Sequence, residues 1–266
     1  MNSWLATCRL AVEDVRAVLA ELPHRSDREP VLRTGMGGDD TTAIDGAVEA
    51  AVVARLDSTG NQFTLVSEEL GRRGDGTGTW VVLDPIDGSI NAKRGLPFFS
   101  LSIAIAEGGT MDDVVFGYVY DFGASEEWTA ERGGGARLNG APLTGERPKE
   151  AIELLALEAT RTDLVARHVP GLVGLVHRLR IFGSLAISLC HLAEGRVDAV
   201  CSLKPARSVD IAAAQLLVRE RGLAIDLPDE PLPATFGAAP LDLEGRSRVV
   251  AAGTQEVCRA VAAALD

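Results

Sequence analysis

Six acidic residues lie within or directly beside apolar segments of the sequence, where a bare carboxylate is costly to bury. They are Asp45, Glu68, Glu69, Asp84, Asp87 and Asp210. Asp84 and Asp87 follow the apolar run WVVL in the stretch DPIDG. Because α/β proteins place ligand sites at strand ends and helix starts, the pattern predicts that these acids converge. Converging carboxylates repel one another, so the sequence also predicts a cation between them.

The ligand type indicates which cation the site favours. Carboxylate oxygens are preferred by hard divalent ions, which predicts Mg²⁺, with Mn²⁺ as an alternative. None of the four histidines lies in these segments, which argues against zinc. The four cysteines have no paired spacing and are predicted to be buried and reduced.

Each acid also has a simpler interpretation when it is taken alone. Asp210 is of a residue type that often caps helices. The stretch DPIDG is typical of a turn. Asp45 is compatible with a solvated helix position, and Glu68 with Glu69 is compatible with a polar strand exit. The joint occurrence of these segments favours the cation site.

The elements predicted before residue 145 are of the α+β type. An amphipathic helix covers the first 22 residues, and a polar, Gly-rich connector leads to a second helix at residues 41–56. Either Asp40 or Thr41 is expected to cap this second helix. The predicted strands cover 62–66 and 80–83, followed by a mostly antiparallel sheet over 98–138.

The elements predicted after residue 145 alternate between strand and helix. The predicted strands cover 154–159, 178–183, 197–203 and 248–252. The predicted helices cover 184–194, 210–221 and 255–265. The chain is therefore predicted to form an α+β lobe at residues 1–145 and an α/β lobe at 146–266.

Composition limits the partners that the chain is expected to bind. The hydrophobic fraction of 46% predicts a packed core, and the net charge of −12 argues against nucleic acid and anionic membranes as partners. The chain has neither a signal-peptide pattern nor an apolar run of membrane-spanning length. These features predict a cytoplasmic protein with a small-molecule substrate.

Five segments resemble the inositol monophosphatase superfamily, which includes fructose-1,6-bisphosphatases. They are GMGGDDTTAID at 35–45, SEE at 67–69, LDPIDGSINA at 83–92, IFGSLAISLCHLAEGRVDA at 181–199 and SVDIAAAQLLV at 208–218. The resemblance implies a layered αβαβα sandwich of the sugar-phosphatase type, with the metal site between two lobes. It also implies a homodimer and two or three Mg²⁺ ions per site.

The resemblance assigns a role to each matching residue. The implied metal ligands are Glu68, Asp84, the backbone carbonyl of Ile86, Asp87 and Asp210. The implied catalytic residues are Glu68, Ser89 and Asp45. Of these, Glu68 and Ser89 would position and deprotonate the attacking water, and Asp45 would hold a metal ion or its water shell. Ser89 replaces the threonine usual in the family and keeps the hydroxyl.

Substrate contacts are expected on both lobes. The predicted set is Asp87, Gly88, Ser89, Gly183, Ser184, Arg180 and Arg207. Free backbone N–H groups after Asp87 would hold phosphate oxygens. Gly183 and Ser184 would contact the sugar or polyol, although close packing and helix capping explain them equally well. A second phosphate would need cations, for which Lys93, Arg94, Arg180, Lys204 and Arg207 are the candidates.

Three departures from the family pattern bear on the substrate. Val209 replaces a tryptophan, Ala92 replaces an aromatic residue, and Leu203 replaces a glutamate that grips inositol. These changes favour the archaeal-type branch with fructose bisphosphatase activity. The predicted function is therefore Mg²⁺-dependent hydrolysis of fructose 1,6-bisphosphate or inositol 1-phosphate by metal-activated water.

Three alternatives to this function stay open. One is a nucleotide-type 3′-phosphatase acting on 3′-phosphoadenosine 5′-phosphate or NADP, and another is a specialised biosynthetic sugar or cyclitol phosphatase. The aromatic content of only 5% argues mildly against a base-stacking site. The third alternative is a catalytically silent binding or regulatory protein.

Overall fold

The computed structural model describes residues 2–36, 40–159, 161–229 and 235–266. The helices in these ranges are α1 (Asn2–Glu21), α2 (Arg25–Arg28), α3 (Ala43–Asp57), α4 (Ser89–Arg94), α5 (Thr162–His168), α6 (Leu185–Glu194), α7 (Ser208–Glu220) and α8 (Gln255–Ala264). The strands that precede residue 145 are β1 (Val31–Thr34), β2 (Asp40–Thr42), β3 (Thr64–Ser67), β4 (Gly71–Arg73), β5 (Trp80–Asp87), β6 (Ser100–Ala106), β7 (Val114–Asp121), β8 (Glu126–Glu131), β9 (Gly135–Leu138) and β10 (Ala141–Pro142). The later strands are β11 (Ile152–Glu158), β12 (Val176–Arg180), β13 (Ala199–Ser202), β14 (Ala224–Asp226) and β15 (Val250–Ala252).

The strands form two large sheets and one hairpin. The first large sheet has the order β10-β9-β8-β7-β6-β5-β3-β4, and its pairs are antiparallel except for β3 with β5. The second has the order β12-β11-β13-β15-β14, with β11 parallel to both of its neighbours. The strands β1 and β2 pair separately. The predicted lobe division at 145/146 falls between the large sheets, and we keep it as a proposal.

Alternating side chains of the sheets build a five-layered sandwich, as predicted. Val81 and Leu83 of β5 pack on α1 and α3, whereas Val82 packs in a cluster that contains α6 and α7. The same α6–α7 cluster contains Ala156 of β11, and the opposite face of the second sheet packs on α5 and α8. The layers are therefore α1/α3, first sheet, α6/α7, second sheet and α5/α8.

Strand periodicity explains where the first aspartate of the DPIDG stretch points. Successive side chains of a strand face opposite sides, so Asp84 lies on the same side as Val82. That side faces α6 and α7, between the two sheets. The pairing of β5 with β6 becomes irregular between Asp84 and Asp87, which separates the two carboxylates along the strand end.

Several local predictions differ from the structure. The connector after α1 contains the short helix α2 and the β1–β2 hairpin, and the segment between the strands predicted at 62–66 and 80–83 contains the edge strand β4. The prediction that Asp40 or Thr41 caps α3 was wrong. The N-cap is Thr42, whose backbone N–H donates a hydrogen bond to Asp45 Oδ2 at 3.1 Å. The strand β12 ends at Arg180 rather than at Gly183. The predicted segment at residues 37–39 lies outside the described residues.

Two predictions about composition can be compared with the described residues. All four cysteines are buried free thiols, as predicted. Among the described residues, no helix combines the length and apolar character that are needed to cross a bilayer.

Gly117 of β7 allows α7 to approach the first sheet closely. A Cβ at Gly117 would lie 2.4 Å from the backbone oxygen of Ala213 in α7. Helix α7 also supplies Asp210, so this close approach brings the carboxylate towards the end of β5. We therefore expect Gly117→Ala to lower the free energy of unfolding by about 2 kcal/mol, measured by urea denaturation.

Gly145→Ala is the matched control for this substitution. A Cβ at Gly145 meets nothing within 4 Å, so the expected change is within about 0.5 kcal/mol. Equal stability of the two variants would contradict the packing explanation.

Candidate active site

Two neighbouring parallel strands bring Glu68 and Asp84 to one edge of the first sheet. Ser67 of β3 pairs with Leu83 of β5, so the acid that follows each of them emerges at the same level. The side chain of Asp84 is 2% exposed, and its Oδ1 accepts a hydrogen bond from the backbone N–H of Ile86 at 3.1 Å. The sequence prediction that these acids meet at strand ends agrees with this geometry.

The start of α7 adds a third acid and a cation. Asp210 is the third residue of α7, where its Oδ2 accepts a hydrogen bond from the backbone N–H of Arg207 at 2.8 Å. It therefore supports the helix start without being the N-cap. The guanidinium of Arg207 is buried and donates to Glu68 Oε1 and, at 3.3 Å, to Asp210 Oδ1. Arg207 thus links the end of β3 to α7.

If all its carboxylates were ionised, the negative charge of this group would exceed the charge of its arginine. Burial raises the pKa of Glu68 to about 8; Arg207 opposes the rise, and Asp210 and Glu69 add to it. Burial also raises the pKa of Asp84 well above its usual range, and the nearby Glu68 adds to that effect. One guanidinium faces three carboxylates, so further positive charge at this position would be stabilising.

Asp87, the last residue of β5, connects the first sheet to α6. Its Oδ2 accepts hydrogen bonds from the Ser184 hydroxyl and from the backbone N–H of Ala186, at 2.7 Å for the latter. Its Oδ1 accepts from the N–H of Leu185 at 3.3 Å. Burial raises the pKa of Asp87 to about 6 despite these donors. Ser184 is also the N-cap of α6, since its Oγ accepts from Ile187 N–H at 3.2 Å.

The residues that follow Asp87 make a close contact between the two lobes. Gly88 has φ +96°, and a Cβ there would lie 2.8 Å from the oxygen of Phe98 and 3.0 Å from that of Gly183. Only glycine fits such a position without strain. The Ser89 hydroxyl donates to the Ile86 carbonyl at 3.0 Å. The predicted catalytic hydroxyl therefore contacts the predicted carbonyl ligand.

A second acidic group lies beside the first. Asp45 is 4% exposed, and its Oδ1 is buried without a hydrogen-bond partner among the described residues. Its interpretation as a solvated helix residue was therefore wrong. Burial raises the pKa of the neighbouring Glu69, although a hydrogen bond from the Thr41 hydroxyl opposes the shift. An unsatisfied buried carboxylate oxygen is suited to a cation or an ordered water.

The donor chemistry fits a hard divalent ion, although the side chains are not yet arranged around one. Among the described residues, no three His, Cys, Asp or Glu side chains form a ready-made metal-binding group. The reason is visible in the contacts: Arg207 bonds Glu68 and Asp210, and the start of α6 bonds Asp87. The oxygen-only set, its excess negative charge and the orphaned Asp45 oxygen all suit Mg²⁺ or Mn²⁺.

Some predicted contacts do not lie in this cluster. Arg180 is exposed and donates to the neighbouring carbonyl of Leu179 at 2.9 Å. Lys204 is exposed, whereas Arg207 is buried on the carboxylates themselves. The three positions that depart from the family pattern are all buried apolar side chains; they are Ala92, Leu203 and Val209.

Two buried glutamates were missed by the sequence reasoning. Glu158 accepts hydrogen bonds from the backbone next to Ser184, and Glu49 accepts them from Ser67 and from the backbone N–H of Glu69 at 3.2 Å. Glu158 follows the apolar run LLAL, the same pattern that identified Asp84. Attention to every acid at a strand end would have found it.

A family model identifies the family of this chain. The model of the inositol monophosphatase family matches residues 7–265. The chain belongs to the inositol monophosphatase family. The resemblance read from the five sequence segments is thereby confirmed.

This chain is similar to a protein that is named for two phosphatase activities. It is 32% identical over 266 residues to the fructose-1,6-bisphosphatase/inositol-1-monophosphatase of Methanothermobacter thermautotrophicus, covering 96% of this chain and 93% of the relative. It is 32% identical over 230 residues to Nus factor SuhB of Pasteurella multocida, covering 84% of each. A crystal structure of an inositol monophosphatase–fructose 1,6-bisphosphatase matches with a TM-score of 0.82 at 26% identity, covering 98% of this chain and 99% of the other. The family member is therefore a phosphoric monoester hydrolase with the sugar-phosphatase fold.

The raised pKa values predict how stability depends on pH. Glu68, with a folded-state pKa of about 8, keeps its proton at pH 7 in the folded state, whereas the unfolded carboxylate has lost it. The folded state binds more protons, so stability falls as pH rises through 7 to 8. We expect the free energy of unfolding in EDTA to fall by about 1 kcal/mol over this interval, measured by urea denaturation.

Glu68→Gln is the control for this pH dependence. The amide does not titrate, so the variant should lose the part of the slope that Glu68 contributes, about 1 kcal/mol between pH 7 and 8. Added Mg²⁺ should flatten the slope of the unsubstituted protein by stabilising the ionised carboxylates. Stability that rises over this interval, or an unchanged slope in the variant, would contradict the assignment.

Proposed function

We propose that this protein is a Mg²⁺-dependent phosphatase that hydrolyses a phosphomonoester of a small sugar or polyol. The observation that carries the proposal is the group of carboxylates Asp84, which is buried, and Glu68 and Asp210, which are partly buried. When all three are ionised, their charge exceeds that of Arg207. We further propose two or three Mg²⁺ ions per site, with Mn²⁺ as a substitute, in a cytoplasmic homodimer.

The proposed ligands come from both lobes. Glu68, Asp84, Asp87, the Ile86 carbonyl and Asp210 would hold the ions, and Asp45 would hold an ion or its water shell. When bound, such ions neutralise charge on the transferring phosphoryl group and make water a stronger nucleophile at neutral pH. The buried setting supports this proposal, because the carboxylates gain most from a cation where water is excluded.

The side chains around Asp87 have separate proposed tasks. Glu68 accepts the proton of the attacking water, and the Ser89 hydroxyl orients that water. The backbone N–H groups of Gly88 and Ser89 bind the phosphate oxygens. Gly183 and Ser184 contact the sugar from the second lobe. A Cβ on Gly88 would lie 3.0 Å from the Gly183 carbonyl oxygen, so this segment lies close to the proposed phosphate-binding backbone.

Arg207 has two candidate tasks, of which one has structural support. A contact with a second phosphate would require its guanidinium to leave Glu68 and Asp210. The observed bonds support a role as a counter-charge within the acidic group instead. Arg180 remains a candidate for the second phosphate, although its present contact is with Leu179.

The substrate proposal covers fructose 1,6-bisphosphate and inositol 1-phosphate. The Methanothermobacter relative is named for both activities. Leu203 offers no polar group to an inositol hydroxyl, which favours fructose 1,6-bisphosphate. A nucleotide-type 3′-phosphatase or a specialised biosynthetic sugar or cyclitol phosphatase would use the same acidic group on a different substrate.

A second candidate function is binding without catalysis. One relative, Nus factor SuhB of Pasteurella multocida, has a name that states no phosphatase activity. The retained acidic group favours catalysis, since uncompensated carboxylates destabilise a protein that does not use them. Activity measurements separate the two.

We expect Mg²⁺-dependent phosphate release from at least one of fructose 1,6-bisphosphate, inositol 1-phosphate and 3′-phosphoadenosine 5′-phosphate. EDTA should abolish it, and Asp87→Asn should lower kcat/KM by about 10³-fold or more, because the variant loses a charged ligand. Asp163→Asn, at an exposed position on α5, is the control and should retain full activity. Equal inactivity of the unsubstituted protein and Asp87→Asn across the panel would reject the proposed function.

Ser89 allows a separate test of the proposed water-orienting hydroxyl. Ser89→Thr keeps the hydroxyl that faces the Ile86 carbonyl and should retain kcat within about threefold, whereas Ser89→Ala should lower kcat by about 10²-fold. Steady-state kinetics at saturating Mg²⁺ measures both. Full activity of Ser89→Ala would remove Ser89 from the proposed mechanism.

A further inference from the structure

Glu158 is a buried acid at the end of β11 that holds the backbone before α6. Its side chain is 2% exposed. Its Oε1 accepts hydrogen bonds from Phe182 N–H at 3.2 Å and from the Ser188 hydroxyl at 2.6 Å, and its Oε2 accepts from Gly183 N–H at 2.8 Å. Hydrogen bonds to a carboxylate are shorter and stronger than neutral ones. The carboxylate therefore fixes both the backbone before α6 and the first turn of the helix.

The same short segment is held from the other lobe by Asp87. Residues 182–186, called the clamp turn below, donate first to Glu158 and then to Asp87. The two acceptors come from different sheets, since Glu158 ends β11 and Asp87 ends β5. The position of the clamp turn is therefore determined by one carboxylate on each side.

The clamp turn in turn determines how Asp87 is oriented. Both carboxylate oxygens of Asp87 accept hydrogen bonds from this segment, so their directions follow the positions of Ser184, Leu185 and Ala186. Asn91 adds a link from α4, because its Nδ2 donates to the carbonyl of Phe182 at 2.7 Å. A small displacement of the clamp turn would rotate the Asp87 carboxylate and move Ser184 with it.

We propose that Glu158 is a positioning residue, which acts through the clamp turn to aim Asp87 at the cation and Ser184 at the substrate. The inference rests on the proposed phosphatase function. It assigns to Glu158 no contact with the reacting atoms. Its effect is indirect, because misplacement of a ligand by less than 1 Å is enough to weaken binding and slow a reaction.

Asp198 provides a matched control in the same lobe. It is 6% exposed and, like Glu158, its carboxylate accepts hydrogen bonds from three donors. The donors are the backbone N–H groups of Lys149, Glu153 and Leu154, at 2.8, 3.0 and 3.0 Å. These donors lie before and at the start of β11, whereas Glu158 lies at its other end. Loss of Asp198 therefore removes a similar buried carboxylate without touching the clamp turn.

The test compares Glu158→Gln, Glu158→Asp and Asp198→Asn with the unsubstituted protein. Amide hydrogen exchange by mass spectrometry reports on residues 182–188, calorimetric titration gives the Mg²⁺ affinity, and kinetics gives KM and kcat. In Glu158→Gln, one carboxylate oxygen is replaced by an NH₂ group, which cannot accept a hydrogen bond from the clamp turn or from Ser188. Amide hydrogen exchange at residues 182–188 should therefore be faster. The Mg²⁺ Kd and the KM should each rise about tenfold, as is usual when an outer support of a metal site is removed.

The two other variants distinguish positioning from general stability. Glu158→Asp retains the charge and should recover part of the Mg²⁺ affinity; it also serves if Glu158→Gln does not fold. Asp198→Asn should lose stability and exchange faster near residues 149–154, with Mg²⁺ affinity and KM within about twofold of the original.

Three different results would overturn either the positioning role of Glu158 or the proposed phosphatase function, and each result identifies which of the two fails. Unchanged exchange at 182–188 in Glu158→Gln would show that Glu158 does not hold the clamp turn. Faster exchange with unchanged Mg²⁺ affinity and KM would reduce Glu158 to a structural role. Absence of Mg²⁺ binding and of phosphate release in the unsubstituted protein would reject the proposed function, and the catalytic part of this inference with it.

Discussion

Buried negative charge between two sheets is the constraint on which the rest of this structure depends. Asp84 extends from a strand that is buried on both faces, and Glu68 follows the neighbouring parallel strand. Such carboxylates are tolerated only with donors and positive charge around them. Part of this compensation comes from Arg207, from the start of α6 and from the N-cap of α3. The carboxylate charge that these groups do not neutralise would favour a divalent cation.

Compensation by the protein itself also shapes how the site can work. Arg207 contacts Glu68 from the start of α7. Asp210, a proposed metal ligand, and the positively charged Arg207 therefore move with the same helix. A cation held by Glu68 and Asp210 would therefore change the set of bonds that join the end of β3 to α7. The proposed metal site and the packing of the two lobes are energetically linked through Arg207, Glu68 and Asp210.

Apolar runs and strand periodicity are local properties, and they predicted most of the elements and the convergence of Glu68 and Asp84. The layered sandwich was predicted from the family resemblance. The cap of α3 was predicted one or two residues too early, at Asp40 or Thr41, because the hydrogen bond from the Thr42 backbone N–H to Asp45 at the third helical position was not considered. The contact of Arg207 with Glu68 depends on how α7 packs on the first sheet. No local pattern records that distance, which is set by close approaches such as Gly117 to Ala213.

The middle layer of the sandwich has a consequence for substrate entry. Helices α6 and α7 belong to a single hydrophobic cluster that includes side chains of both large sheets. A hinge rotation that separated the lobes would expose this shared core to water, at a cost that grows with the apolar area uncovered. Separating the lobes would therefore cost more free energy than rearranging loops and long side chains at the rim of the site, which leaves this shared core buried.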